Sequence, residues 1–227
     1  MGVGGQKGFT LIELLIIIAC IVVLASIAVP NLLSARIRAN ETSAVGILRT
    51  ISSSQTEFRS KAASDEDRDG AGEFGYFAEM SGRVAPRGAT VAIRPAILSS
   101  QFMTIIDGRV KHSGYYFRML LPDADGIGLP EMQDGGAPPG VDPDMAESYW
   151  CCYAWPNSNY SGERVFCMNQ QGDIIASNNL GANQDYAGAY GPEPDAAFLS
   201  PGTDDAIVGL IAIGTIATDG GRWVAVQ

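Results

Sequence analysis

The sequence is nearly without histidine: His112 is the only one in 227 residues. Every Ser-His-Asp or Cys-His arrangement and every multi-histidine metal site would have to run through that one position, which excludes most hydrolase chemistry. Positive charge is scarce as well. Fifteen Lys and Arg stand against 25 Asp and Glu, a net charge of −10 with a pI near 4.5, so the basic footprint that holds nucleic-acid phosphates is missing. Nucleic acid is therefore not expected as a main partner. The chain also shows no internal repeat, no nucleophile motif and no glycine-rich phosphate loop between a strand and a helix. An enzyme is not expected.

What the chain does have is one long apolar run. Leu14 to Val29 reads LLIIIACIVVLASIAV, sixteen residues in which only Cys20 and Ser26 carry polar atoms. With Phe9 to Glu13 included, the stretch before Pro30 has 21 residues and a single ionisable side chain, Glu13. At ~1.5 Å per helical residue it spans roughly 30 Å, the thickness of a bilayer core, so a membrane helix is expected. The rival is a cleaved secretory signal, for which Ala25, Ser26 and Ala28 supply small residues. Against it, the apolar stretch leads straight into a further helical pattern. Glu13 is the anomaly, because a carboxylate inside a membrane helix costs ~2.5–3.5 kcal/mol at the centre and less near an end. Either it is solvated at headgroup level, or it pairs with a positive charge from another chain.

Gly8-Phe9-Thr10-Leu11-Ile12-Glu13, behind a short polar leader containing Lys7 and ahead of the apolar run and Pro30, closely resembles the processing site of type IV prepilins and type II secretion pseudopilins. The resemblance rests on about the first 30 residues. It implies that a prepilin peptidase cuts between Gly8 and Phe9 at the cytoplasmic face and methylates the new Phe9 amine, leaving residues 1–8 as a leader. It further implies that Glu13 neutralises the Phe9 amine of a neighbouring subunit as helices bundle into a filament. A paired carboxylate recovers much of its desolvation cost and fixes axial register. Pro30 matches the family's helix-kinking proline, and its missing N–H would loosen the helix over residues 26–30.

Beyond Pro30 the pattern turns amphipathic. Leu33, Ile37, Ala44, Leu48, Ile51 and Phe58 recur at helical spacing, with Arg36, Arg38, Asn40, Glu41, Arg49, Glu57 and Arg59 on other faces. A continuous helix from Phe9 to about Ala63 is expected, its second half packed on the protein's own sheet and its opposite face turned to filament neighbours. The remainder reads as strands: 115–121, 149–155, 164–169 and 173–177 as an antiparallel meander, with 206–217 and 222–226 as a hairpin. Stretches 123–147 and 178–205 hold much of the Gly, Pro, Asp and Asn and read as surface loops open to partner contact. The expected fold is α+β, a long N-terminal helix on an antiparallel β-sheet head. Its organisation is a leader (1–8), a transmembrane and polymerisation helix (9–30), an amphipathic helix (31–63) and an extracytoplasmic head (64–227).

After the helix, Asp65, Asp67 and Asp69 followed by Gly70 reproduce the D-x-D-x-D-G opening of a calcium loop, with Glu73 at its ninth position. The twelfth position is Tyr76 and not a glutamate, so the loop is no standard EF-hand, and a solvated acidic turn is the alternative. Asp123-Ala124-Asp125-Gly126 is a weaker turn of the same kind. Cys20 is a small apolar residue of the membrane helix. Cys151, Cys152 and Cys167 fall on neighbouring predicted strands, and Cys167 can bond either member of the adjacent pair, which point to opposite faces. Zinc is a poor fit without C-x-x-C spacing or a histidine nearby.

Two classes of function remain. One is a structural subunit of a type IV pilus or type II secretion pseudopilus. As the resemblance implies, it would be a single-pass precursor in the bacterial inner membrane, driven by an assembly ATPase and membrane platform into a periplasmic pseudopilus or an extracellular pilus made of copies of itself. The other is a monomeric membrane-tethered module whose head holds calcium, an adhesion ligand or a secreted substrate.

Overall fold

Residues 8–181, 184–199 and 203–226 are described by the structure, a computed structural model. The leader expected over residues 1–8 lies outside them except for Gly8. Helix α1 (Leu11–Ser60) runs unbroken for 50 residues, about 75 Å, and passes through Pro30 without interruption. The sequence pattern changes character along it, and so does its burial. Residues 11–36 are all exposed, whereas Ala44, Val45, Leu48, Ile51 and Phe58 are buried. The apolar stripe expected from Leu33 starts later than its spacing suggests: Leu33 is exposed and Ile37 only partly covered.

The head is built on an eight-stranded antiparallel sheet: β1 (Ile105–Ile106), β2 (Arg109–His112), β3 (Tyr115–Pro122), β4 (Gly128–Pro130), β5 (Cys151–Pro156), β6 (Val165–Asn169), β7 (Ile174–Ser177) and β8 (Val224–Ala225). The order is β1-β2-β3-β5-β6-β7-β8, with β4 on β3. β2 takes the first half of one β3 edge, at Tyr115–Phe117, and β4 the second, at Leu120–Pro122. The expected meander is present as β3, β5, β6 and β7. Two short helices, α2 (Phe77–Met80) and α3 (Pro143–Ser148), and a 3₁₀ turn at Ser100–Met103 complete the elements.

Both faces of the sheet are covered. Tyr115, Phe117, Met119, Cys152, Ala154, Phe166 and Met168 pack with Leu48, Ile51 and Phe58 of α1. Leu120, Cys151, Tyr153, Trp155, Cys167 and Ile175 face a cover formed by residues 186–199 and 203–223, including Phe198, Ile207, Ala212 and Trp223. All residues of β5, β6 and β7 are accordingly buried, the pattern of strands enclosed on two sides. Two expectations are corrected here. Much of 178–205 is part of this cover and not a free surface loop, with Tyr186, Ala196, Ala197 and Phe198 buried. Residues 206–217 and 222–226 do not form the full hairpin expected. The chain doubles back only at a short turn, where Gly214 N bonds Trp223 O, Trp223 N bonds Thr215 O and Ile216 bridges Arg222, while Val224 and Ala225 pair with Ala176 and Ile175 of β7. Ala206 and Ile211 bridge to Ile127 and Phe198, so the apolar segment is spent on tying the cover to itself and to the β3–β4 turn.

Polar side chains lock α1 onto this frame. Buried Gln55 accepts from Gly75 N (2.9 Å) and donates to Gly75 O (2.7 Å), acting as a strand edge made of one side chain. A Cβ at Gly75 would lie 2.7 Å from the Phe58 ring, so glycine is required for that approach. Glu41, which its spacing places on a solvent face, is buried. Its Oε1 accepts from the Glu163 and Arg164 amides at 3.1 Å, and its Oε2 pairs with Arg164 Nε at 2.8 Å. Beside it Asn40 donates to Ser161 O. Together they clip the helix to the β5–β6 turn.

The loop after α1 is held from inside. Arg87 pairs with Glu73 (3.0 Å) and Glu79 (3.2 Å), donates to the Phe74 carbonyl and lies over the Tyr76 ring. Burial works to lower the Arg87 pKa, but Glu79 and Glu73 carry it above its ordinary value. Glu131 closes the same region without a cation of its own. Its Oε1 accepts from Ala78 N (2.8 Å) and Gly136 N (3.0 Å), while Oε2 is buried with no hydrogen-bond partner. Burial pushes its pKa up to about 7, against the pull of the two amides.

The folded state therefore holds this proton more tightly than the unfolded chain does, and stability falls as pH rises from 4.5 through about 7. Glu131→Gln should remove that loss, on the order of 3 kcal/mol. Urea melts at pH 5 and pH 8 should show a smaller difference for the variant than for the parent. Arg87→Met leaves Glu73 and Glu79 buried without their cation and should destabilise the head by roughly 3–5 kcal/mol, measured in the same melts.

Candidate functional site

The chain enters α1 through Gly8, Phe9 and Thr10, all exposed and without regular structure. Thr10 is the N-cap. Its hydroxyl accepts from Glu13 N (3.3 Å), and the Glu13 carboxylate reaches back to Thr10 N (2.9 Å) and Thr10 Oγ1 (2.8 Å). This is a capping box, and it answers two of the amide donors that a helix start leaves open. Both contacts fall on Glu13 Oε2, so the second oxygen is not engaged among the described residues. The same carboxylate thus orders the helix start and stands beside Phe9, which is 81% exposed. Further on, Ser26 Oγ donates to Val23 O at 2.7 Å, one turn before Pro30 removes an amide donor from the helix.

From Leu14 to Val29 the helix is apolar all round and exposed all round. It is long and apolar enough to cross a membrane, with none of that stretch buried against the head. A helix of this kind satisfies its own backbone in lipid and needs either lipid or other helices around it.

In the acidic turn, the structure regroups the expected ligands. Asp67 and Asp69 converge with Asp144 and Glu147, one oxygen of each lying within 4.8 Å of the others. Asp65 and Glu73 stand outside that group. Glu73 is taken: it accepts from Ser64 Oγ (2.9 Å) and Glu66 N (2.6 Å) and pairs with Arg87. The newcomers come from α3, where Asp142 caps the helix by accepting from Met145 N, Pro143 follows, and Asp144 and Glu147 share a face three residues apart. The Asp-Pro-Asp run with a glutamate three residues on was the available signal, a capped helix start inside a stretch read as loop. Glu147 Oε1 is a buried atom without a partner, and its carboxyl pKa is raised by partial burial and by Asp69, Asp67 and Asp144. The group has an uncompensated negative charge that one hard cation or one guanidinium would answer.

Among the cysteines, the strand register decides what adjacency left open. Cys151 Sγ lies 3.5 Å from Cys167 Sγ on the covered outer face, while Cys152 packs on the α1 side. Burial pushes the Cys152 and Cys167 thiols up, which makes both slow nucleophiles once folded.

The comparisons with known proteins agree with the N-terminal geometry. Residues 4–29 match the family model described as the prokaryotic N-terminal methylation motif. The chain is 69% identical over 36 residues to the type IV wide pilus major component PilA4 of Thermus thermophilus, covering 16% of this chain and 28% of that protein. It is 36% identical over 87 residues to the type IV major pilin protein PilA of Myxococcus xanthus, covering 38% and 39% respectively. The chain thus matches less than two fifths of the length of either relative. No solved structure matches it. The chain is thus similar to type IV pilins over these stretches, and a long apolar helix with an antiparallel sheet packed on its second half is consistent with the type IV pilin fold.

Refolding the reduced protein in a glutathione buffer should join Cys151 to Cys167 and leave Cys152 as a free thiol. Peptide mapping by mass spectrometry checks this, and a Cys152–Cys167 link would contradict the observed register.

Proposed function

We infer that this chain is a structural subunit of a type IV pilus, not an enzyme, and that α1 is its polymerisation element. The observation that carries the reading is the bare apolar half of α1, exposed on every side and led by a capped Phe9-Thr10-Leu11-Ile12-Glu13 start. Both relatives reported above are pilus proteins by name, which favours a pilus over a secretion pseudopilus.

In this reading the precursor sits in the inner membrane with α1 across the bilayer and the head outside the cytoplasm. A prepilin peptidase cuts after Gly8 and methylates the Phe9 amine, and an assembly ATPase with its membrane platform lifts the subunit into the filament. Lipid around residues 9–33 is replaced by the same segment of neighbouring copies. Glu13 meets the Phe9 ammonium of the adjoining copy. Its carboxylate is already ordered by Thr10, so little side-chain freedom remains to be lost on pairing, and its unengaged oxygen is the one available for that contact. In a low-dielectric bundle the pair is strong and a missing partner is costly, which sets the axial register. Pro30 supplies the one place in the segment where the helix lacks a backbone bond.

Mass spectrometry of material sheared from cells should show a mature chain beginning at N-methylated Phe9. Gly8→Leu should leave the precursor uncut and membrane-bound. Glu13→Val should be inserted and processed normally yet lower filament yield at least tenfold. Normal filament yield from Glu13→Val would overturn the charge-pairing step, and absence of any exported polymer from the parent would overturn the pilus reading.

A further inference from the structure

Behind its apolar segment, α1 carries a second unpartnered stripe. Ala35, Arg38, Thr42, Gly46, Arg49, Ser53, Thr56 and Ser60 recur at three- and four-residue spacing, and all are exposed. The hydroxyls of Thr42, Ser53, Thr56 and Ser60 turn back onto carbonyls of their own helix. Arg38 and Arg49 are therefore the only long side chains on the stripe. Eleven residues apart, they differ by only about 20° around the axis. Neither forms an ion pair among the described residues, and the nearby Glu41 is already neutralised by Arg164. This flank is basic, narrow and smooth apart from two guanidinium groups.

The rest of the head is charged the opposite way. Residues 119–227 hold fifteen carboxylates against Arg164 and Arg222 alone, and Arg164 is spent on Glu41. The densest negative point is the group of Asp67, Asp69, Asp144 and Glu147, with its unsatisfied Glu147 oxygen. One chain thus displays two free cations on a helix flank and an under-neutralised carboxylate group on the head, and it does not bring them together.

We propose that the Arg38–Arg49 flank of α1 docks on the carboxylate groups of other copies of this chain, one arginine to each group, so that guanidinium–carboxylate contacts join successive heads. The proposal rests on the filament reading and names a contact separate from the one at Glu13. The fit is axial. Arg59 lies close enough to Glu147 for its charge to be felt there, which puts the carboxylate group near the level of Arg59. At ~1.5 Å per residue, a copy displaced by roughly 15 Å presents Arg49 at that level, and one displaced by roughly 32 Å presents Arg38. Guanidinium suits the site because its planar fork donates to two carboxylates at once and stays charged at any working pH. The docking also answers a general problem of this chain, since copies of a strongly acidic head repel one another unless positive charge is placed between them.

The test uses full-length protein expressed in its host and compares sheared filament with membrane-held subunit. Arg38→Glu with Arg49→Glu should lower filament yield at least tenfold while mature protein accumulates in the membrane at parental levels. Asp67→Lys with Asp144→Lys should do the same. All four changes together should recover yield to within about threefold of the parent. Parental filaments should fragment as salt is raised, and Arg38→Gln with Arg49→Gln should weaken that salt dependence. Normal yield and unchanged salt response in the arginine variants would overturn the proposal, as would a fourfold variant no better than its parts. If parental filaments need calcium and the Arg→Gln variant needs it equally, the carboxylates hold a metal ion and the proposal falls. Failure of the parent itself to polymerise would instead count against the pilus reading.

Discussion

Everything in this molecule follows from one surplus: a helix about twice as long as the part of it that the head covers. The sheet and its loops cover α1 only from about Ile37 onward, and the remaining turns bury no side chain within their own chain. At ~25 cal/mol per Å² of apolar surface, a segment of that size is intolerable in water. It needs lipid or other apolar surface around it. The head grips the other half of the helix and leaves this segment bare.

That task explains where polar chemistry was placed inside the head. A helix held only by Leu48, Ile51 and Phe58 could slide or rotate on a flat apolar face. Gln55 on Gly75, Asn40 on Ser161 and Glu41 on Arg164 supply directional stops at three heights along it. The Arg87, Glu73 and Glu79 set does the same for the chain leaving the helix. All but the half-buried Asn40 are buried polar groups whose loss of a partner is expensive, so together they favour one seating of the helix over its neighbours.

The long-range plan was legible in the sequence, because it is written in local patterns. The apolar run, the Gly8–Glu13 motif and the alternation in Tyr115–Leu121 each specify an element without reference to the rest of the fold. What escaped is what depends on tertiary pairing. Residues 206–217 look like a strand by composition, yet their partners are isolated bridges to Phe198 and Ile127. Glu41 looks like a surface acid until Arg164, 123 residues later, is seen to need it. Glu73 has the right offset for a metal ligand, but Arg87 claims it. Asp144 and Glu147 join Asp67 and Asp69 only because Phe74 N bonds Ala146 O and draws α3 against the end of α1.

The double covering of β5, β6 and β7 separates two kinds of surface within one small head. Side chains gripping α1 and side chains meeting the outer cover alternate along the same strands, so a layer of main chain stands between them. Changes in the outer loops reach the helix seat only by bending that partition. A head made this way can be given a new exterior, residue by residue, while its grip on the helix stays as it was.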